Sequence, residues 1–254
     1  MSPSTDQREN REFAAEIKFL VTLPAAEKIR AWSRLHLLPD PNATGEAGDG
    51  YQITSLYFDT EKFDVFHRKG SFGRCKYRIR RYGPDVTAFL ERKLKTRGLV
   101  SKRRSNVQID ELERLAAVEP DDQWTGYWYH RRLLARRLRP VCQITYSRTA
   151  RVSMTPVGPI RLTMDDAVRA VPVHGLEFRG LQEGVTLAEN HVIIELKYRQ
   201  ETPVLFKRLI DEFSLTPQSV SKYRLAAAAL GLVKPVGTRA PAGYDANSEI
   251  CLTS

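Results

Sequence analysis

Three times the chain places a glutamate and a lysine two residues apart inside a strand-like run: Glu16-Ile17-Lys18, Glu91-Arg92-Lys93 and Glu195-Leu196-Lys197. Side chains alternate between the faces of a strand, so in IIELKYR Glu195, Lys197 and Arg199 project together while Ile194, Leu196 and Tyr198 point the other way. An ordinary antiparallel sheet with one wet face also produces this pattern. Recurrence separates the two readings: 17 Glu and 12 Lys placed at random in 254 residues give about 0.8 such triplets. A carboxylate beside an ammonium on one face can position a cation against an anionic ligand, or can itself take a divalent metal.

The same alternation assigns further cations. Glu16 and Lys18 oppose Ile17 and Phe19; Lys76, Arg78 and Arg80 oppose Tyr77 and Ile79; Glu91, Lys93 and Lys95 oppose Leu90 and Leu94. Tyr146 and Arg148 share a face, and Arg161 lies between Ile160 and Leu162. Six strands thus carry their cations on a single face. If the apolar faces pack against helices, the charged faces turn either to bulk water or into the lumen of a barrel, and a polar lumen explains so many Arg and Lys beside so few acids.

Composition agrees. A net charge of +10 and a pI near 9.6 call for an anionic partner: nucleic acid, a membrane surface or a phosphate-rich small molecule. The basic residues are 28 Arg against 12 Lys, and the Arg fork suits phosphate or carboxylate oxygens. Cys75, Cys142 and Cys251 are odd in number and lack metal-ligand spacing, which fits structural cysteines in a reducing compartment. The histidines, His36, His67, His130, His174 and His191, show no ligand spacing either. Gly70-Ser71-Phe72-Gly73 is not a Walker-type loop, since no Gly-Lys-Ser/Thr helix start follows. The polar N-terminus and the lack of a long apolar run give a cytoplasmic expectation.

The elements that must position these residues follow from pattern. Residues 1–12 read as a flexible leader and 234–254 as a loose Gly/Pro/Ala-rich tail, with one domain over 13–233. A strand at 13–22 precedes Pro24 and an amphipathic helix with Ile29, Trp32 and Leu35. Strand-like runs succeed one another: YQITSLYFD, CKYRIRRYG, TAFLERKLK, RRSNVQID, VCQITYSRTA, PIRLTMDDAV and NHVIIELKYR. Helices are expected at 110–118, at 124–138 and in a C-terminal pair, PVLFKRLIDEF and SVSKYRLAAAALG. The fold class is α+β: about eight antiparallel strands, curled or closed into a barrel, with helices packed outside.

One chain of short elements in order, EIKF, SLYFD, KYRIRRYG, ERK, YSRTA, RLTMD, ELK and SKY, over about residues 13 to 231, resembles the polyphosphate polymerase domain of the VTC family, within the triphosphate tunnel metalloenzymes. The resemblance implies a closed tunnel that binds ATP by its phosphates and threads a growing polyphosphate chain. It implies phosphate contacts from Lys18, Arg78, Arg80, Lys93, Arg148, Arg161, Lys197 and Lys222, a further one from Lys102, and hydrogen bonds from Tyr146 and Ser221. It implies Glu195 as the residue that holds a divalent metal, Mn²⁺ or Mg²⁺, with Glu16 and Glu91 either helping or simply holding neighbouring lysines by ion pairs. Ser219 stands where family members often carry a Lys. Relatives' phosphate-sensing domain and membrane segment have no counterpart, which leaves a stand-alone catalytic domain as the expectation and a membrane-protein acceptor of the polymer as an open partner.

The resemblance leaves three activities: polyphosphate polymerase, a metal-dependent tripolyphosphatase or nucleoside triphosphatase of the same fold, and a noncatalytic polyphosphate- or nucleic-acid-binding module. Arg131, Arg132, Arg136, Arg137 and Arg139, after Trp124, Tyr127, Trp128 and Tyr129, read as a nucleic-acid patch, as a solvated basic face or as one touching the product polymer. No specific nucleic acid is expected, and the oligomeric state is not legible.

Overall fold

The computed structural model describes residues 7–9, 15–41, 43, 48–96, 99–180 and 183–233. The expected tail at 234–254, with Cys251, and the expected leader apart from residues 7–9 lie outside the described residues. The strands are β1 (Gln7–Glu9), β2 (Ala15–Thr22), β3 (Leu38–Pro39), β4 (Gly50–Asp59), β5 (Cys75–Tyr82), β6 (Thr87–Thr96), β7 (Leu99–Gln108), β8 (Arg139–Thr155), β9 (Gly158–Pro172), β10 (Val185–Thr186) and β11 (His191–Tyr198). The helices are α1 (Leu23–His36), α2 (Tyr127–Ala135), α3 (Val204–Glu212) and α4 (Lys222–Ala229).

All pairings given are antiparallel, in the order β1-β7-β6-β5-β4-β8-β9-β11-β2, with β10 on β9 and β3 on β8. The path ends at β1 and β2 and is not joined into a ring by backbone hydrogen bonds. It is nevertheless rolled. Lys93 Nζ on β6, third in the path, donates to Glu16 Oε2 on β2, ninth in the path, at 3.2 Å. In a flat sheet those strands would stand about 29 Å apart at ~4.8 Å per strand. The expected barrel is therefore an open curl whose far edge is drawn inward by side chains.

The outward faces carry the apolar residues that alternation assigned to them. Phe19, Ile160, Leu162, Met164, Ile194 and Leu196, from β2, β9 and β11, form one buried cluster with Ile29 and Trp32 of α1 and Phe206 and Leu209 of α3. Tyr77, Ile79 and Leu90, from β5 and β6, share a second cluster with Trp128, Tyr129 and Leu133 of α2. Each fully buried Leu or Ile in these clusters contributes roughly 1.5–3 kcal/mol relative to exposure. Helices on the outside and charge on the inside follow together.

The helix expected over 124–138 is shorter, at Tyr127–Ala135, the last helix starts at Lys222, and Leu35 of α1 is exposed; two departures are larger. The helix expected over 110–118 is a 3₁₀ turn at Asp110–Ala116, a short link between β7 and α2. Strands β8 and β9 run well past the expected runs because they form one long hairpin: Thr155 Oγ1 donates to the Gly158 carbonyl at 2.7 Å, and Gly158 takes φ 121°, a conformation open to glycine. The described cysteines, Cys75 and Cys142, are free and buried. No helix among the described residues is long and apolar enough to cross a membrane.

Candidate functional site

Register puts the charged side chains on the inner face. On β5, Arg78 stands between Tyr57 of β4 and Glu91 of β6, and Arg80 between Ser55 and Phe89. Glu91 and Lys93 face Arg104 and Lys102 of β7. Across the lumen, Glu195 lies between Lys18 of β2 and Thr163 of β9, and Lys197 between Glu16 and Arg161. With Lys76 and Arg148, ten strand cations face four strand carboxylates, Glu16, Glu91, Asp165 and Glu195.

Helix α4 delivers the remainder. Its N-cap Ser221 accepts from Lys76 Nζ at 3.1 Å. Lys222 Nζ lies 2.5 Å from Asp165 Oδ2, 3.6 Å from Glu195 Oε1 and 5.0 Å from the Tyr146 ring centre. Tyr223 stacks on Tyr57 at 5.6 Å and donates its phenol proton to Asp59, whose carboxylate also caps the backbone N–H groups of Thr60, Val65 and Phe66. Three successive residues of α4 thus touch the inner faces of five strands, so the start of this helix sits within the curl.

The charges form three adjoining groups. In the first, Lys18 Nζ is 2.9 Å from both Glu16 Oε1 and Glu195 Oε1, and Lys197 Nζ is 3.3 Å from Glu195 Oε2. In the second, Arg78 Nε reaches Glu91 Oε2 at 2.6 Å, with Lys102 and Arg104 at 3.1 and 3.3 Å from Oε1. In the third, Arg148 clasps Asp165 through two bonds of 2.6 and 2.7 Å, Arg80 donates to the Tyr146 hydroxyl at 2.9 Å, and Arg161 donates to the Tyr51 hydroxyl and pairs with Asp40, each at 2.8 Å. Lys18, Arg78, Arg80, Lys93, Lys102, Tyr146, Arg148, Arg161 and Lys197 lie on this inner face with Glu16, Glu91 and Glu195, Ser221 and Lys222 reach it from the start of α4, and Lys93 links the first two groups through Glu16.

Burial pushes all four carboxyls up, but the cations outweigh it. For Glu195, burial is opposed by Lys197, Lys18 and Lys222, which hold it well below the usual carboxylate range. Glu91 is held well below that range by Arg78, Arg80, Lys102 and Arg104 against its burial. Burial and Glu195 raise Glu16, yet Lys197, Lys18 and Lys93 bring it to about 2. Two lysines move the other way. Burial lowers Lys197 to about 8 despite Glu195 and Glu16, and burial with Lys18, Lys93 and Arg78 lowers Lys76 to about 8 despite Tyr57. Such cations lack full compensation, and a polyanion would supply it.

Among the described residues no group of three or more His, Cys, Asp or Glu could hold a metal alone. Glu16 and Glu195, both touching Lys18, offer two carboxylates on one side of the lumen. That donor set fits a hard divalent ion completed by phosphate oxygens and water. Glu91 belongs to the second group, where three cations enclose it.

Sequence reasoning left out Lys76, Arg104, Asp165, Tyr51, Tyr57 and Asp40 as site residues. Lys76 shared the assigned face of Arg78, and Arg104 alternates with Lys102, so both were within reach of the pattern. Asp165 lies two steps of alternation beyond Arg161, through Thr163, in unbroken register with β11, so it too was within reach of the pattern.

The chain matches the family described as the VTC domain over residues 13–231. Similar solved structures include a candidate adenylate cyclase from Bacillus halodurans, 17% identical, covering 81% of this chain and 92% of that one with a TM-score of 0.49. Another is a candidate adenylyl cyclase from Hippeastrum described as having a dominant triphosphatase activity, 15% identical, covering 84% and 94% with a TM-score of 0.46. A search of curated proteins found no match. With the family matched over most of its length and the inner cations in place, the chain belongs to the VTC domain family.

Proposed function

We propose that this protein is an ATP-dependent polyphosphate polymerase, transferring the terminal phosphate of ATP to a growing inorganic polyphosphate chain within the curl. The observation that carries the reading is the rolled wall itself, where the Glu16–Lys93 contact turns ten strand cations toward one space. Phosphoryl transfer passes through a loose transition state with charge on the equatorial oxygens, so positioning and electrostatic stabilisation supply most of the catalysis. Arg78, Arg80, Arg148 and Arg161 offer forked donors for those oxygens, while Lys18, Lys93, Lys102, Lys197 and Lys222 add point charges. Tyr146 and Ser221 orient these cations through the Arg80 and Lys76 bonds. The acceptor is a terminal phosphate already ionised near neutral pH, so no side-chain nucleophile is needed.

Glu195, with Glu16, would hold a divalent ion such as Mn²⁺ or Mg²⁺, which when bound neutralises phosphate charge. Glu91 instead fixes Arg78, Lys102 and Arg104 in place. Incubation of pure protein with ATP and Mn²⁺ tests the proposal: phosphate-chain ladders on a gel support polymerisation. Release of free phosphate without chains replaces it with a triphosphatase using the same cations, since only the attacking group differs.

A further inference from the structure

The inner site leaves one basic cluster unused. The end of α2 and the start of β8 face the turn after β4 and the Ser71–Phe72 turn across a cleft of about 770 Å³. Its cationic lining is Lys62, Arg132, Arg136, Arg137 and Arg139, against Glu61 and Asp64. Asp64 is occupied by Thr60 at 2.6 Å and Lys69 at 3.6 Å. The cleft is outside the strand wall, because α2 packs on the outward cluster of Tyr77, Ile79 and Leu90.

Most of these cations are open to solvent and line the cleft together. Lys62, Arg132, Arg137 and Arg139 are exposed and have no ion pair among the described residues. Arg136 stacks 4.9 Å from the Phe72 ring centre, which holds its side chain against the cleft wall. Arg137 sits at φ 49° where α2 ends: its N–H donates to the Leu134 carbonyl at 3.0 Å and the Leu138 N–H to the Leu133 carbonyl at 2.9 Å. That is a Schellman ending, whose left-handed position glycine fills without strain, and it sets Arg137 in the cleft lining.

We propose that this cleft is a second oxyanion site, separate from the curl, that binds inorganic polyphosphate. The arginine forks match phosphate oxygens. The lining holds a single aromatic ring, Phe72, with Arg136 on one face, where nucleic-acid grooves stack successive bases on several rings. Asp59 of β4 stands opposite Arg139 in the strand register, next to the Phe58–Tyr77 step, so the cleft opens at the Lys76 end of the wall. The preference for a phosphate polymer rests on the proposed activity; the site itself does not.

Calorimetric titration with tripolyphosphate at low salt tests this without requiring turnover. Wild type binds two equivalents. A triple variant, Arg132→Ala, Arg137→Gly and Arg139→Ala, binds one, with the second class weakened at least tenfold and melting no lower than wild type, since Arg137→Gly relieves strain. One equivalent in wild type, or two in the variant, overturns the proposal. A single-stranded RNA that displaces tripolyphosphate from the cleft at lower concentration overturns it in favour of nucleic acid. Loss of the second equivalent in a protein that makes no ladders keeps the cleft and removes only the polymerase reading.

Discussion

Glu91→Gln separates a positioning carboxylate from a metal ligand. The Glu91 side chain is 2% exposed and faces Arg78, Lys102 and Arg104, whose side chains are 24%, 28% and 20% exposed. Removing one partner from a buried ion pair costs ~3–5 kcal/mol, and the partial exposure of these three cations brings the figure to about 2–3 kcal/mol. At ~2–4 °C per kcal/mol for a chain of this size, the melting temperature falls by about 4–12 °C. Thermal unfolding of metal-free protein at pH 7 and low salt reads this directly. Tripolyphosphate at one hundred times its Kd raises stability by about 2.7 kcal/mol through mass action, in the variant as in wild type. An unchanged melting temperature, together with loss of metal-dependent turnover, refutes the reasoning and makes Glu91 a metal ligand.

Glu195→Gln abolishes metal-dependent turnover while tripolyphosphate affinity, measured without metal, changes little; unaltered activity removes Glu195 from the metal role. Lys76 and Lys197, both lowered to about 8, lose charge as pH rises, so tripolyphosphate affinity drops between pH 7 and 9. At pH 8 binding takes up protons, seen as a buffer-dependent calorimetric heat; a pH-independent affinity contradicts the assignment. Tyr223→Phe deprives buried Asp59 of its phenol donor, costs about 1–3 kcal/mol and speeds amide exchange at Thr60, Val65 and Phe66. Unchanged protection at those amides would detach α4 from that turn.

The inner face was legible wherever strand period 2 ran undisturbed. KYRIR and IIELK alternate cleanly, and Lys76, Arg78, Arg80, Glu195 and Lys197 all point where alternation sent them. Arg104 was within reach by its alternation with Lys102, while Arg103 faces outward and lies 4.3 Å from the Trp128 ring centre, so two adjacent arginines serve opposite faces. Asp165 was likewise within reach, on the face of Arg161 and Thr163. Curling was inferred from charge sign, but how the curl is drawn in was not readable, because Glu16 and Lys93 lie far apart in sequence and meet only once the sheet rolls. Ser221 and Lys222 came from a short motif, whereas the entry of α4 into the curl depends on Tyr223 finding Asp59.

A crystal structure with tripolyphosphate and Mn²⁺ addresses the central claim most directly. The account places the phosphates inside the curl, in contact with Arg78, Arg80, Arg148 and Lys197, with the ion on Glu195. Phosphates bound only outside the strand wall, with those four side chains still paired as described, would contradict it.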